Sequence, residues 1–398
     1  MQLPRIYFDN SATTPVDPRV RDAMWPWFFE KPGNAASRTH PFGWEAEDAV
    51  EHARAQVAQL LAVAPHTLVF TSGATEAINL ALKGVFAAAP AHAGKHFVVA
   101  KTEHKAVLDT CRRICQWGGE LTLVDVQPNG VVCLDRLEEA IRPDTVLVAV
   151  MWANNETGVI QPVAQIGELC ARREILFFCD ATQAVGKIPV NPEAVGVHLL
   201  ACSAHKMYGP KGVGALYICP HPRVHLVPLI DGGGHERGLR SGTLNVPGIV
   251  GFGQAAAIAQ DEMPAEAKRL AALRDRLEQG FLQLPQVWVN GAGAPRLPHM
   301  CNISFRFVEA ESLLMSFNRY IAVSTGSACT SATMEPSHVL RAMGLSADDA
   351  HAAIRFSLGR FNTRQEVDFA IETVSEAVRQ YRQTSPMWQL FQQGMLES

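Results

Sequence analysis

The chain has 398 residues, of which 47% are hydrophobic, with a formal net charge of −4 and a mean hydropathy of +0.02. These values are typical of a globular protein long enough for two domains, and the weak negative charge argues against a broad nucleic-acid-binding surface. No apolar run reaches the roughly 20 residues that span a bilayer, and the first residues lack the pattern of a secretory signal.

Apolar runs alternate with helical patterns over the first half of the chain. The runs predict strands at 68–71, 96–100, 121–124, 146–152, 175–179, 198–202 and 213–218. The clearest helix is predicted over 44–61, where apolar residues recur at helical spacing. Such alternation predicts an α/β fold with a mostly parallel sheet covered on both faces, which binds ligands at the carboxyl ends of its strands.

The pattern changes after about residue 253. A charged helical stretch at 264–284 precedes short strand candidates and a last helix at 365–381. The strand candidates are 287–289, 302–307, 322–324 and 353–357. We expect a large domain over 15–261 and a smaller α+β domain made of 1–14 and 262–398.

Polar residues follow the predicted strands at the points where ligands bind. Lys206 lies in a short polar turn after the strand at 198–202, and Asp180 follows the strand at 175–179. Pyridoxal phosphate needs a lysine amine for its Schiff base and a carboxylate that keeps the pyridine nitrogen protonated, so this pair suggests such a site. Taken alone, Lys206 is equally typical of a solvated loop, and Asp180 of a helix cap or a surface turn.

Other strand ends strengthen this interpretation. The turn at 72–76 follows the first strand and opens a helix, which suits a phosphate, although an ordinary N-cap has the same pattern. His104 and Asn155 follow two further strands. Because the carboxyl ends of parallel strands meet at one edge, we expect these side chains to converge there.

Several segments resemble a known family. They are TSGATEAINL from Thr71, DATQAVGKIPV from Asp180, SAHKMYGPKGVGALY from Ser203, RSGTLN from Arg240 and STGSACTSA from Ser324. With further matches from the first residues to beyond Arg360, the chain resembles the NifS/IscS-type cysteine desulfurases, which are fold-type I pyridoxal phosphate enzymes of the class V aminotransferase group. The resemblance implies a seven-stranded, mostly parallel sheet in the large domain, a smaller α+β domain and a homodimer.

The resemblance also implies a role for each matching residue. Lys206 would be the Schiff-base lysine, Asp180 would contact the pyridine nitrogen, Gln183 the ring hydroxyl and His104 the ring face. The full cofactor-binding set would be Ala74, Thr75, His104, Asn155, Asp180, Gln183, Ser203, His205, Lys206 and, from the partner subunit, Thr243. Asn34, Asn155 and Arg355 would bind the substrate, and the planar fork of arginine suits a carboxylate.

Cys329 distinguishes this family from ordinary aminotransferases. It lies among small and polar residues, whereas several other cysteines lie in apolar runs and are expected to be inert. The resemblance implies that Lys206 and His104 move protons while the Cys329 thiolate takes sulfur from L-cysteine, which leaves L-alanine and a persulfide. The persulfide would pass to acceptor proteins such as an iron-sulfur scaffold.

Some alternatives stay open at this point. The same lysine and aspartate could serve a transaminase or a selenocysteine lyase, and an inactive chain could act as a scaffold for sulfur-transfer partners. The nine cysteines show no paired C-x-x-C spacing, so we expect a cytoplasmic protein with no resident metal. Cys329 together with a partner's cysteines could still ligate a transient iron-sulfur cluster. The sulfur acceptor, in cluster assembly or tRNA thiolation, is not identified, and no direct contact with membrane or nucleic acid is expected.

Overall fold

The computed structural model describes residues 5–90, 94–325 and 335–395. The strands in these ranges are β1 (Ile6–Tyr7), β2 (Leu68–Thr71), β3 (His96–Ala100), β4 (Glu120–Val124), β5 (Thr145–Ala149), β6 (Leu176–Asp180), β7 (Leu199–Ser203), β8 (Gly214–Ile218), β9 (Val287–Asn290), β10 (Met300–Phe305), β11 (Ile321–Ala322) and β12 (Ala353–Ser357). The helices are α1 (Pro18–Met24), α2 (Pro26–Phe29), α3 (Pro41–Leu60), α4 (Ala74–Ala88), α5 (Lys105–Gln116), α6 (Leu134–Ala140), α7 (Val163–Arg172), α8 (Val246–Phe281), α9 (Ala310–Phe317), α10 (His338–Ala342), α11 (Ala347–His351), α12 (Arg364–Thr384) and α13 (Pro386–Gln392).

A seven-stranded sheet in the order β2-β8-β7-β6-β5-β3-β4 forms the centre of the molecule. Strand β8 is antiparallel to both of its neighbours, and the other pairs are parallel. The predicted α/β fold with a mostly parallel sheet is therefore confirmed. Strands β2 and β7 are both antiparallel to β8, so they run in the same direction. The carboxyl end of β2 therefore lies at the same edge as those of the parallel strands, and the predicted ligand-binding residues lie near this edge.

Helices cover both faces of this sheet. Side chains alternate along each strand, so a single strand contributes residues to the core on either face. Phe97 and Val99 of β3 face a core that contains residues of α4 and α5. Val98 and Ala100 of the same strand face the other core, built with residues of α3, α7 and the first part of α8. Strand β3 is therefore buried on both faces, as its apolar sequence indicated.

A second group of strands packs near the end of the chain. Strands β12, β10 and β9 form an antiparallel sheet in that order, and β1 pairs with β11 in parallel. Their core includes residues of α9, α12 and the second part of α8. Helix α8 contributes Ala259 to the first core and Leu270 to this one, so it runs from one core to the other. The domain division expected at 261 and 262 falls inside α8 and stays a prediction.

Some predicted element bounds were wrong. The helix expected over 264–284 begins 18 residues earlier, at Val246, and Pro264 lies inside it. The strand expected over 146–152 ends at Ala149, although Val150 and Trp152 still donate backbone hydrogen bonds to β6 residues. Among the described residues, no helix combines the length and apolar character needed to cross a membrane.

Candidate active site

A cavity of about 640 Å³ opens at the carboxyl edge of the large sheet. The predicted site residues on its wall are Ala74, Thr75, His104, Asn155, Asp180, Gln183, Ser203, His205, Lys206 and Arg355. They come from segments that follow different strands of the large sheet, and from β12 of the second group. The convergence expected at the strand ends is therefore present, and we call this space the active-site cavity.

Lys206 is presented by a single turn of 3₁₀ helix, Ala204–Lys206, directly after β7. Its ammonium Nζ donates hydrogen bonds to the carbonyl oxygens of Ser11 (2.6 Å) and Ala12 (2.7 Å). The backbone N–H of Thr14 donates to the carbonyl of His205 at 2.9 Å. The N-terminal segment thus forms one side of the lysine's surroundings.

Asp180 and Gln183 lie on the adjoining part of the wall. Asp180 is the last residue of β6, and its Oδ1 accepts a hydrogen bond from the backbone N–H of Thr182 at 3.0 Å. Gln183 donates through Nε2 to the carbonyl of Ser11 at 3.0 Å. The Ser11 carbonyl therefore accepts from both Lys206 and Gln183, which brings the amine and the amide together.

His104 is the N-cap of α5, and this fixes the orientation of its ring. Its Nδ1 accepts a hydrogen bond from the backbone N–H of Ala106 at 3.1 Å, so the proton of the neutral ring is on Nε2. The preceding residue, Glu103, is fully buried, and burial together with the nearby charge of Asp180 raises the pKa of its carboxyl well above the usual value. Glu103 accepts a hydrogen bond from the backbone N–H of Met151 at 2.5 Å.

The turn before α4 forms a polar end of the cavity. Gly73 has φ +153°, a backbone conformation that other residues rarely adopt, and the added Cβ of a larger residue would lie 3.8 Å from Ser203 Oγ.

His205 also lines the cavity, and its Nδ1 lies 3.1 Å from Thr13 Oγ1. Burial lowers the pKa of His205 to about 4, with a further contribution from the charges of Lys206 and Lys211. The imidazole is therefore neutral near pH 7.

Arg355 reaches the cavity from β12. Its two terminal nitrogens donate to the carbonyl of Asn155 and to Oδ1 of Asp9, both at 2.8 Å. Its Nε, the Oδ1 of Asn155 and the Oγ1 of Thr182 are buried without a hydrogen-bond partner among the described residues. Leaving such groups unpaired costs about 1–3 kcal/mol each, so the wall suits a polar ligand.

These residues fit pyridoxal phosphate. They offer a lysine amine, a buried carboxylate, polar atoms without a hydrogen-bond partner in the described ranges, and the N-terminus of α4, which favours an anion. Within residues 5–90, 94–325 and 335–395, no cluster of three or more His, Cys, Asp or Glu side chains could hold a metal ion.

The family model described as aminotransferase class-V matches residues 6–369. The chain belongs to this family. It is 53% identical to the cysteine desulfurase IscS of Glaesserella parasuis serovar 5, over 99% of this chain and 98% of that protein. It is 54% identical to the cysteine desulfurase IscS of Anaeromyxobacter dehalogenans, over 99% and 97%. A solved structure titled NIFS-like protein superimposes with a TM-score of 0.88 at 41% identity, over 94% of this chain and 99% of that one. The resemblance identified in the sequence is thus confirmed.

Two residues assigned by resemblance lie outside the cavity wall described above, and a third is not among the described residues. Thr243 and Asn34 are exposed on the surface, outside that wall. Cys329 lies outside the described residues. Their roles in this class-V aminotransferase family member stay predictions.

Sequence reasoning also missed part of the wall. Asp9 and the backbone at 11–13 line the cavity, as do Glu76 and Lys211. Glu76 accepts a hydrogen bond from Arg240 at 2.9 Å, so the segment that carries Thr243 is tied to the cavity mouth. Lys211 could have been found, because it lies in a glycine turn close after Lys206. The N-terminal segment gave no such signal, since its site groups include backbone carbonyls.

Proposed function

We propose that this chain is a cysteine desulfurase that uses pyridoxal phosphate to convert L-cysteine into L-alanine and a persulfide on Cys329. The observation that carries the proposal is the convergence of Lys206, Asp180, His104 and Arg355 on one cavity, in a chain that belongs to the class-V aminotransferase family and is 53–54% identical to proteins named cysteine desulfurase IscS.

The cavity residues divide between the two ends of the cofactor. Asp180 would pair with the pyridine nitrogen, Gln183 would bind the ring hydroxyl and His104 would lie against the ring. Thr75, Ser203 and His205, with the N-terminus of α4 at Ala74, would hold the phosphate. The bound cofactor would supply an electron-accepting ring that stabilises negative charge at the substrate's α-carbon.

The substrate would lie between Arg355 and Lys206. The Nε of Arg355 has no hydrogen-bond partner in the part of the chain that the structure describes. Its guanidinium group suits the carboxylate of L-cysteine, with Asn155 beside it and Asn34 as a further contact. Lys206 would bind the cofactor covalently and move the proton at the α-carbon. His104, with its proton on Nε2, is suited to exchange a proton with the substrate.

Sulfur transfer completes the reaction. The Cys329 thiolate attacks the substrate sulfur, so that an S–S bond forms while the carbon–sulfur bond breaks and its electron pair stays on the substrate. Protonation of that carbon skeleton gives L-alanine. The persulfide then passes to an acceptor protein such as an iron-sulfur scaffold. We further propose a homodimer in which Thr243 completes the phosphate site of the partner subunit.

Incubation with L-cysteine, pyridoxal phosphate and a thiol tests this function. We expect sulfide and L-alanine in equal amounts. Lys206→Ala should remove the visible absorbance of the lysine-bound cofactor and the turnover. Cys329→Ala should keep the absorbance but form no persulfide, as read by mass spectrometry. Formation of pyruvate without sulfide, or turnover by Lys206→Ala, would show that the proposal is wrong.

A further inference from the structure

Tyr208, two residues beyond Lys206, is held by two cations. The side chain is fully buried, with 1% of its surface exposed. Lys187 Nζ lies 4.1 Å from the centre of its ring, and the guanidinium carbon of Arg360 lies 4.3 Å from it. A cation over an aromatic face is attracted by the ring electrons, most strongly where water is excluded. Two cations therefore stabilise the position of the ring.

The backbone of Tyr208 is fixed as well. Its φ of +66° lies in the left-handed region, which is unfavourable for a residue with a side chain. Its N–H donates to Thr14 Oγ1 at 2.7 Å, and its carbonyl accepts from the N–H of Asp17 at 3.0 Å. These contacts are made to the same N-terminal segment whose carbonyls accept from Lys206. Position 206 and position 208 are thus anchored to one strip of chain.

Arg360 links this turn to the second group of strands. Its backbone N–H donates to the hydroxyl oxygen of Tyr208 at 2.6 Å. Its guanidinium group pairs with Asp17 and with Glu266 of α8, both at 2.7 Å. Arg360 lies five residues after Arg355, which reaches the cavity from β12. The Tyr208 ring therefore lies where the lysine-bearing turn meets the segment that follows the substrate-binding strand.

The positive charge of Lys187 beside the ring has a distant ionic partner. Lys187 is fully buried, 4.0 Å from a carboxylate oxygen of Glu266, and neither that oxygen nor Nζ has a hydrogen-bond partner among the described residues. Burial lowers the pKa of Lys187 to about 8. An ammonium group kept in such a place needs a further favourable contact, and the ring of Tyr208 provides it.

We propose that Tyr208 is a positioning residue for Lys206: its cation-bound ring fixes the turn that presents the lysine amine to the cavity. The inference rests on the proposed function of Lys206. The side chain of Tyr208 is not on the described cavity wall, so it acts through the turn and not on the substrate. Displacement of a reacting group by about 1 Å can lower a rate by about 100-fold, which sets the scale of the effect.

The test compares Tyr208→Leu with Tyr217→Leu. Tyr217 is an equally buried tyrosine on β8, opposite Leu200 and away from the turn. The first measurement uses cofactor-free protein: the rate at which acetic anhydride modifies Lys206, followed by peptide mass spectrometry across a range of pH. The second titrates the visible absorbance of the cofactor-loaded protein with pH. The third gives kcat and KM, and thermal unfolding records stability.

We expect both variants to unfold at lower temperature, but only Tyr208→Leu to change the pH profile of Lys206 modification and of the absorbance. Its kcat should fall by about 10- to 100-fold, with a smaller change in KM. Tyr208→Phe keeps the ring and should recover most of the wild-type profile. Lys187→Met removes one cation and should shift the profile in the direction of Tyr208→Leu.

The inference is overturned if Tyr208→Leu has the wild-type modification profile and kcat, or if Tyr217→Leu shifts both equally. Should Tyr208→Leu fail to fold, the same comparison is made with Lys187→Met, and an unchanged profile there refutes the inference. The proposed function is judged separately, because wild-type protein without a lysine-bound absorbance would contradict that function before any Tyr208 variant is compared.

Discussion

Arg355 carries its positive charge into a nearly closed part of the cavity, where only 5% of its surface is exposed. Two of its nitrogens are held by Asn155 and Asp9, so the fork has a fixed direction. We predict that Arg355→Lys raises the KM for L-cysteine by about tenfold or more, because lysine cannot keep both contacts and bind a carboxylate. Steady-state kinetics measure this change.

Arg296→Lys is the matched control for that prediction. Arg296 makes a two-point ion pair with Glu278, at 2.5 and 3.0 Å, outside the cavity. Its replacement should lower the thermal midpoint and leave KM unchanged. An unchanged KM in Arg355→Lys, or an equal rise in Arg296→Lys, would rule out a specific substrate contact.

His205 gives a prediction about acid stability. Burial holds its pKa at about 4 in the folded protein, below the value of about 6.5 expected for an unfolded chain. Between these values the unfolded state binds more protons, so this residue makes stability fall as pH falls from about 6.5 to about 4. In cofactor-free protein, His205→Gln should therefore lose less of its thermal midpoint between pH 7 and pH 5 than wild type. Parallel curves for the two proteins would contradict this.

At the scale of elements, a buried ion pair secures the segment before Thr243. Arg54 of α3 pairs with Glu236 at 2.7 Å, and Glu236 also accepts from the backbone N–H of Phe70 at 2.7 Å. Without Glu236, the buried guanidinium group of Arg54 would keep, among the described residues, only the exposed carboxylate of Glu51 as an ionic partner. We predict that Glu236→Ala lowers the free energy of unfolding by roughly 3–5 kcal/mol in urea titration.

The control for Glu236 is an exposed pair on α6. Arg136 and Glu139 lie 2.9 Å apart, with 68% and 64% of their side chains exposed. Because water and salt screen such a pair, Glu139→Ala should change the free energy of unfolding by less than about 1 kcal/mol. Similar losses in the two variants would mean that the buried pair has no special role.

The sequence predicted elements best where one local pattern decided the structure. Strands β2, β3 and β12 have the predicted bounds, because each is a short stretch of mostly apolar residues ended by polar or small residues. The start of helix α8 was predicted wrongly at Pro264, because proline usually interrupts a helix. In the structure the helix continues through Pro264, and its packing against two cores stabilises it there. The antiparallel direction of β8 depends on tertiary pairing and has no signal within the strand.

The candidate site, too, could be predicted from the sequence only in part. Lys206 and Asp180 could be found because each is a chemically distinctive side chain at or shortly after the end of a strand. The part played by the 11–14 segment could not, since the backbone carbonyls that meet Lys206 exist at every position of a chain. Tyr208 was likewise hidden, because its two cations come from Lys187 and Arg360, which are distant in sequence.

At the scale of the whole molecule, one stretch exposes an unusual number of large apolar side chains. Trp25, Phe28, Phe29, Phe42 and Trp44 are each 49–70% exposed within twenty residues. The rings of Trp25, Phe28 and Phe29 also contact one another. Exposed apolar surface of this kind is costly in water and marks an interface. Asn34 lies in the same stretch of chain. We therefore predict that these side chains are covered by the second subunit of the proposed homodimer.

Phe28→Glu combined with Phe29→Glu tests this interface. Two buried carboxylates would lose hydration without gaining a partner. In sedimentation experiments we therefore expect wild type to be dimeric and the double variant to be monomeric. Met315→Glu is the control, because Met315 is 75% exposed on α9, outside the 25–44 stretch, and its change should leave the dimer intact.

The same double variant tests the role of Thr243. If Thr243 completes the partner's phosphate site, the monomer should also bind pyridoxal phosphate more weakly. A double variant that stays dimeric would place the interface elsewhere, and a monomer with wild-type cofactor affinity would remove Thr243 from the partner's site.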